Sequence, residues 1–138
     1  MTGDPRAPLV PVSWGELIDK ITILEIKTER LNAPGAALNA EHELGLLRDA
    51  LATLGSDAPP ELAGLAVELA AINRRLWDIE DEIRAKEAAR SFDADFISLA
   101  RSVYHGNDER SRIKRAINAL LGSAIIEEKQ YVGYRDDA

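Results

Sequence analysis

Aliphatic residues recur through the middle of the chain at Leu62, Leu65, Leu69, Ile72, Leu76, Ile79 and Ile83. The intervals alternate between three and four, which holds the row on one face of an α-helix and predicts lengthwise, coiled-coil-like packing against another helix. With Pro60 in its first turn and only Gly64 within it, the pattern predicts a helix running to about Arg90, roughly 45 Å long. Ser91 to Asp93 breaks the pattern, and Asp93 is placed to cap a further helix. Phe96, Ala100, Val103, Ile113, Ile117, Leu120 and Leu121 then carry an apolar face as far as Gly122. Gly106 inside this segment marks either a kink or a weak point costing about 1 kcal/mol. Two helices of similar length joined by a short turn predict an antiparallel hairpin.

Upstream, Val12 is followed by Ser13-Trp14-Gly15-Glu16, the sequence of a capping box. In such a box the serine accepts from the Glu16 amide while the Glu16 carboxylate reaches back to the amide of Ser13. A first helix is expected from Trp14 to Leu31. Its row of Leu17, Ile21, Leu24, Thr28 and Leu31 is widened by Ile18, Ile23 and Ile26, enough to touch two neighbours. Asn32 to Asn39 contains Pro34 and Gly35 and reads as a loop. A second helix from about Asn39 to Leu54 carries Leu44, Leu47, Leu51 and Leu54 and stops at Gly55.

The predicted fold is therefore all-α: an antiparallel helical bundle built on a long coiled-coil-like hairpin. An extended arm rich in proline precedes it over residues 1–12, residues 13–122 form the bundle, and residues 123–138 form a tail. Ile125, Ile126, Tyr131, Val132 and Tyr134 make that tail apolar enough to dock. The first helix is too short to cover the hairpin, so helix two or a second subunit must complete the packing. A twofold homodimer is the simplest such partner.

Composition sharpens this picture. Aromatic residues are only 5% of a chain of 138 that is 46% apolar, so Leu, Ile and Ala supply the core, which suits helices. Twenty-four acidic against 17 basic residues leave a net charge of −7, which disfavours a nucleic-acid partner. No cysteine is present, excluding disulfides, thiolate chemistry and cysteine-ligated zinc. No stretch approaches the ~20 apolar residues of a membrane span. Met1 to Pro11 lacks the basic start and apolar run of a signal peptide, so a cytoplasmic location is expected.

Three blocks carry a resemblance: Val12 to Lys27 (VSWGELIDKITILEIK), Leu76 to Arg84 (LWDIEDEIR) and Asn107 to Lys114 (NDERSRIK). Together the chain resembles an uncharacterised bacterial family of short helical proteins, a domain of unknown function. The resemblance implies a mostly helical domain and supplies no catalytic residue.

Candidate chemistry lies in the polar positions of the same blocks. Lys20 and Lys27 are seven apart on one side of the first helix. Asn73, Trp77, Glu80 and Arg84 form a stripe at helical spacing beside the aliphatic row. Asn107, Arg110 and Lys114 stand in heptad register with Ile117 and Leu121. One reading is a pocket between helices in which the cations hold a carboxylate or phosphate and Glu80 accepts a proton. The other is a set of ion pairs with Glu25, Glu80 or Asp108 that fixes helix register.

Carboxylates three or four apart, such as Glu16 with Asp19, Glu25 with Glu29 and Asp78 with Asp81, admit magnesium, yet that spacing equally suits a solvated face. No metal and no cofactor are expected. Trp14 and Trp77 read as packing anchors, and His42 and His105 as ordinary surface residues. The expected function is a non-enzymatic helical interaction or scaffold module that self-associates through its long helices. An anionic-ligand or enzymatic site in a charged pocket between helices is the alternative.

Overall fold

A computed structural model describes residues 6–134; the parts of the arm and tail predicted at residues 1–5 and 135–138 lie outside the described residues. Four α-helices and no strand make up the described chain. They are α1 (Trp14–Arg30), α2 (Pro34–Ala52), α3 (Glu61–Ala88) and α4 (Ala94–Leu121), with one 3₁₀ turn, Gly55–Asp57, between α2 and α3.

Each boundary has a local cause. Ser13 caps α1 by accepting from the Glu16 amide at 3.1 Å. The reciprocal half of the expected box does not form, because the Glu16 carboxylate is turned to Lys114 at 2.7 Å. Asp93 caps α4 through the Phe96 amide at 2.9 Å. Gly122 closes α4 in the left-handed region at φ 60°, a geometry that suits a residue without Cβ.

The start of α2 differs from the sequence reading. The helix begins at Pro34 rather than near Asn39, so the loop shrinks to residues 31–33. Proline at the first helical position lacks an N–H that would be orphaned there anyway, and its fixed φ matches the helix. The apparent breaker is an initiator. At its other end α2 stops at Ala52, short of the expected Leu54, and Gly55, at a positive φ of 52°, opens the 3₁₀ turn. Gly106 introduces no break: α4 runs unbroken through it.

α3 and α4 are 28 residues each, about 42 Å, and pack as an antiparallel hairpin. Leu76 lies directly over Gly106, where an added Cβ would come within 2.6 Å of Leu76 Cδ2, so the glycine lets the two helices approach closely. Of the aliphatic row, Leu62, Leu69, Leu76 and Ile79 are buried, while Leu65, Ile72 and Ile83 are partly covered.

α1 packs into the groove of this hairpin and is the hub of the bundle, touching α2, α3 and α4. One of its faces joins Leu17, Ile21 and Leu24 to Ala40 and Leu44 of α2. The other sets Ile18 against Leu62, Leu69, Ile113 and Ile117 of the hairpin. At about 26 Å, α1 covers little more than half the hairpin, and its last residue, Arg30, pairs with Asp78 at 2.5 Å. Beyond that pair the hairpin is two helices deep, and Phe92 and Ile97 are exposed. No helix among the described residues is long and apolar enough to cross a membrane.

Candidate functional site: a cleft on a buried Asp–Arg network

An acidic residue that the sequence reading considered only as half of a metal-binding pair stands at the centre of the site. Asp19 is fully buried on α1, and an unpaired carboxylate there would carry a heavy desolvation cost. Arg110 of α4 offsets it from two nitrogens: Nε donates to Oδ1 at 2.9 Å and Nη2 donates to Oδ2 in a bidentate pair. Asn73 of α3 donates Nδ2 to Asp19 Oδ1 at 2.9 Å and to Thr22 Oγ1 at 2.8 Å. The Thr22 hydroxyl donates to the backbone carbonyl of Asp19 at 2.8 Å. Three helices are thereby tied at one level by one carboxylate.

Lys114, one turn along α4 from Arg110, extends the network. Its Nζ donates to Glu16 at 2.7 Å and to Glu127 of the tail at 3.1 Å, and stands 3.9 Å from Asp19. Burial pulls its pKa down, but the hydrogen bonds to Glu16 and Glu127 and the charges of Asp19 and Glu16 together leave it raised. Arg110 is likewise held charged, first by its hydrogen bonds to Asp19. Below this, the Gly15 amide donates to Asn118 Oδ1 at 2.7 Å. A Cβ on Gly15 would lie 2.5 Å from the Lys114 carbonyl, so α1 and α4 meet here backbone to backbone. Among the described residues, no buried side-chain nitrogen or oxygen lacks a partner.

Above the network opens a cleft of about 450 Å³, lined by Ile23, Asn73, Leu76, Trp77, Glu80, Asp81, Arg84, Asn107 and Arg110. Its volume falls within the range of small-molecule sites. Six of the nine candidate residues, namely Asn73, Trp77, Glu80, Arg84, Asn107 and Arg110, converge on it. The other three stand apart. Lys114 lies below, already held by carboxylates; Lys20 is on the surface with Glu16 at 3.8 Å; Lys27 is not in the lining. The five-residue cationic pocket of Lys20, Lys27, Glu80, Arg110 and Lys114 is therefore not assembled.

Asp19, Thr22, Glu16, Asn118 and Glu127 are the working residues that the sequence reading missed or read otherwise. A signal for Asp19 existed: it stands seven residues before Ile26, whose side chain is also fully buried, so both share an inward register. Glu16 and Asp19, candidates for a metal from their spacing, are instead engaged by Lys114 and Arg110. Among the described residues no three metal-ligating side chains converge.

The cleft offers recognition groups of several kinds. A guanidinium has five N–H donors, of which Asp19 takes two and Asn107 Oδ1 is met by a third at 3.4 Å. The outward edge of Arg110 is thus left for the cleft, and Asp19 fixes its orientation. At the rim, Glu80 has Arg84 at 4.0 Å, while Asp81 has no cation within ion-pair distance among the described residues. Trp77, Leu76 and Ile23 form an apolar wall. The lining holds no hydroxyl, thiol or imidazole. A second, more apolar hollow lies across Asn107, between α4 and the tail.

Neither the curated proteins nor the solved structures contain a match to this chain. A family model does match it, over residues 9–135, a span that takes in all four helices and the network; the chain belongs to DUF6165, a family of unknown function.

Proposed function

We propose that the protein is a non-enzymatic helical binding module whose cleft takes a small zwitterion of the amino-acid kind. The observation that carries this reading is the buried Asp19–Arg110 pair. It spends one edge of the guanidinium on holding its position and presents the other to the cleft. A carboxylate or other acceptor oxygen fits that edge, with the Asn107 amide beside it.

Charge balance argues against a simple anion. Arg110 is matched by Asp19 and Arg84 by Glu80, the lysines lie outside the cleft, and Asp81 stands at its rim without a cation among the described residues. An ammonium group at that rim offsets the acidic excess, and the ligand's apolar part lies against Trp77 and Leu76. Without a hydroxyl, thiol or imidazole in the lining, and with Glu80 beside Arg84, binding rather than covalent chemistry suits the site.

A thermal-shift series tests it, because a ligand that binds only the folded chain raises its melting temperature. Free leucine or phenylalanine is expected to stabilise the protein more than its N-acetyl form, which lacks the ammonium, and more than its amide, which lacks the carboxylate. Equal shifts from all three forms, or no shift from any, would rule the zwitterion out.

A second reading has its own observation: among the described residues no third helix covers the distal half of the α3–α4 hairpin, and Phe92 and Ile97 are exposed there. Self-association through that half would make the protein a scaffold, with a second copy completing a four-helix layer. Sedimentation distinguishes the two: a dimer that Ile97→Glu dissociates supports self-association, and a monomer at high concentration excludes it.

A further inference from the structure

The tail after α4 has more chain than its path requires. Past Gly122 it turns back along the helix and is pinned at two levels. Glu128 accepts from Arg115 at 2.6 Å, and the Tyr134 hydroxyl donates to Asp108. Between those pins α4 advances seven residues, roughly 10 Å, whereas six residues of tail can reach about 20 Å. The excess bows the tail away from α4 and leaves a hollow of about 600 Å³ under the arch. Tyr104, Asp108, Val103 and Asn107 of α4 form one side, and Tyr131, Val132, Tyr134 and Lys129 form the other.

Three phenol rings and one carboxylate share this hollow. Tyr104 and Tyr134 meet edge to face with centroids 5.2 Å apart, and His105 packs on Tyr134 at 5.0 Å, so the aromatic group is ordered by mutual contact. Ring faces carry negative electrostatic potential and attract a cation, the more so with a carboxylate nearby. The cation already present does not satisfy them: Lys129 is drawn to Glu127, with Nζ 3.6 Å from Oε1. Asp108 also accepts from Tyr134, which anchors the arch and holds the carboxylate within the hollow.

We propose that this arch is a second binding site, an aromatic cage for a quaternary ammonium group. A methylated ammonium carries its charge with little hydration to lose and fills an apolar, ring-lined space, which neither an anion nor a strongly hydrated metal ion does. The site is independent of the Asp19–Arg110 cleft, although Asn107 borders both.

The test is an NMR titration of the full chain with tetramethylammonium, and with 3,3-dimethylbutanol as a neutral compound of similar shape. Tetramethylammonium is expected to shift the ring signals of Tyr104, Tyr131 and Tyr134 with millimolar affinity, and the alcohol to bind several-fold more weakly. Tyr131→Leu is expected to weaken the cation by about threefold, one exposed ring's share. Tyr131 makes neither of the pins, so the arch stays anchored in that variant. Asp108→Asn is expected to weaken the cation and not the alcohol. Equal affinity for the cation and the alcohol, an unchanged affinity in Tyr131→Leu, or no ring shift at all would overturn the proposal.

Discussion

Asp19 illustrates how one buried charge organises its surroundings. Its carboxylate is tolerable only because Arg110 and Asn73, from two other helices, reach it in good geometry. Removing one partner leaves the other charge buried and unmatched, which costs more than the pair contributes. Arg110→Met is therefore expected to lose about 3–5 kcal/mol in denaturant unfolding. Glu80→Gln, exposed at the cleft rim, should stay within about 0.5 kcal/mol of the parent while weakening the zwitterion. A stable Arg110→Met would mean that the network holds no register.

The glycines give a second residue-scale contrast. Gly15→Ala forces a Cβ against the Lys114 backbone and should cost about 1–3 kcal/mol. Gly45→Ala in α2 meets nothing within 4 Å and should gain about 0.5–1 kcal/mol from helix propensity. Equilibrium unfolding of the two variants side by side checks the opposite signs.

At the scale of elements, periodicity was what the sequence made legible. The hairpin, the caps at Ser13 and Asp93 and the left-handed backbone at Gly55 all arise from local patterns. Pro34 misled because the residue that ends one helix also starts another, and only the chain's path settles which. The cleft was legible in part for the same reason. Asn73, Trp77, Glu80 and Arg84 share a face by helical spacing, as do Asn107 and Arg110. Which lysines join them depends on how α1 rolls in its groove, and that is decided by Ile18 and Ile26 facing inward, which turns Lys20 to the surface.

The turn between α3 and α4 carries a pH prediction. Hydrogen bonds from Lys86 first, and from the Phe96 amide next, hold the Asp93 pKa down from its ordinary 3.8 to about 2. The fold thus favours the charged form. Its contribution is fully present above pH 3.8 and is lost as pH falls through about 2. Melting temperatures through that acid window should fall less steeply for Asp93→Asn, which keeps a capping oxygen but cannot titrate. Parallel curves would show that this cap makes no acid-linked contribution.

For the whole molecule, division of labour comes from length. α1 is long enough to lock the proximal half of the hairpin through an apolar layer and one ionic network, and it ends where the cleft opens. The tail runs back along α4 and ties to the same network through Glu127 and Lys114. Site and core are thus continuous: the groups that fix the helices also orient Arg110.

A guanidinium held in this way by the core is ready to receive a ligand, and a ¹H–¹⁵N spectrum of the full chain titrated with free phenylalanine reads that directly. The Arg110 Nε–H, the Trp77 indole N–H and the side-chain amides of Asn73 and Asn107 are expected to shift together, along one binding curve, while that of Gln130 stays still. Shifts confined to other surfaces, or an unchanged Arg110 Nε–H at saturation, would contradict it.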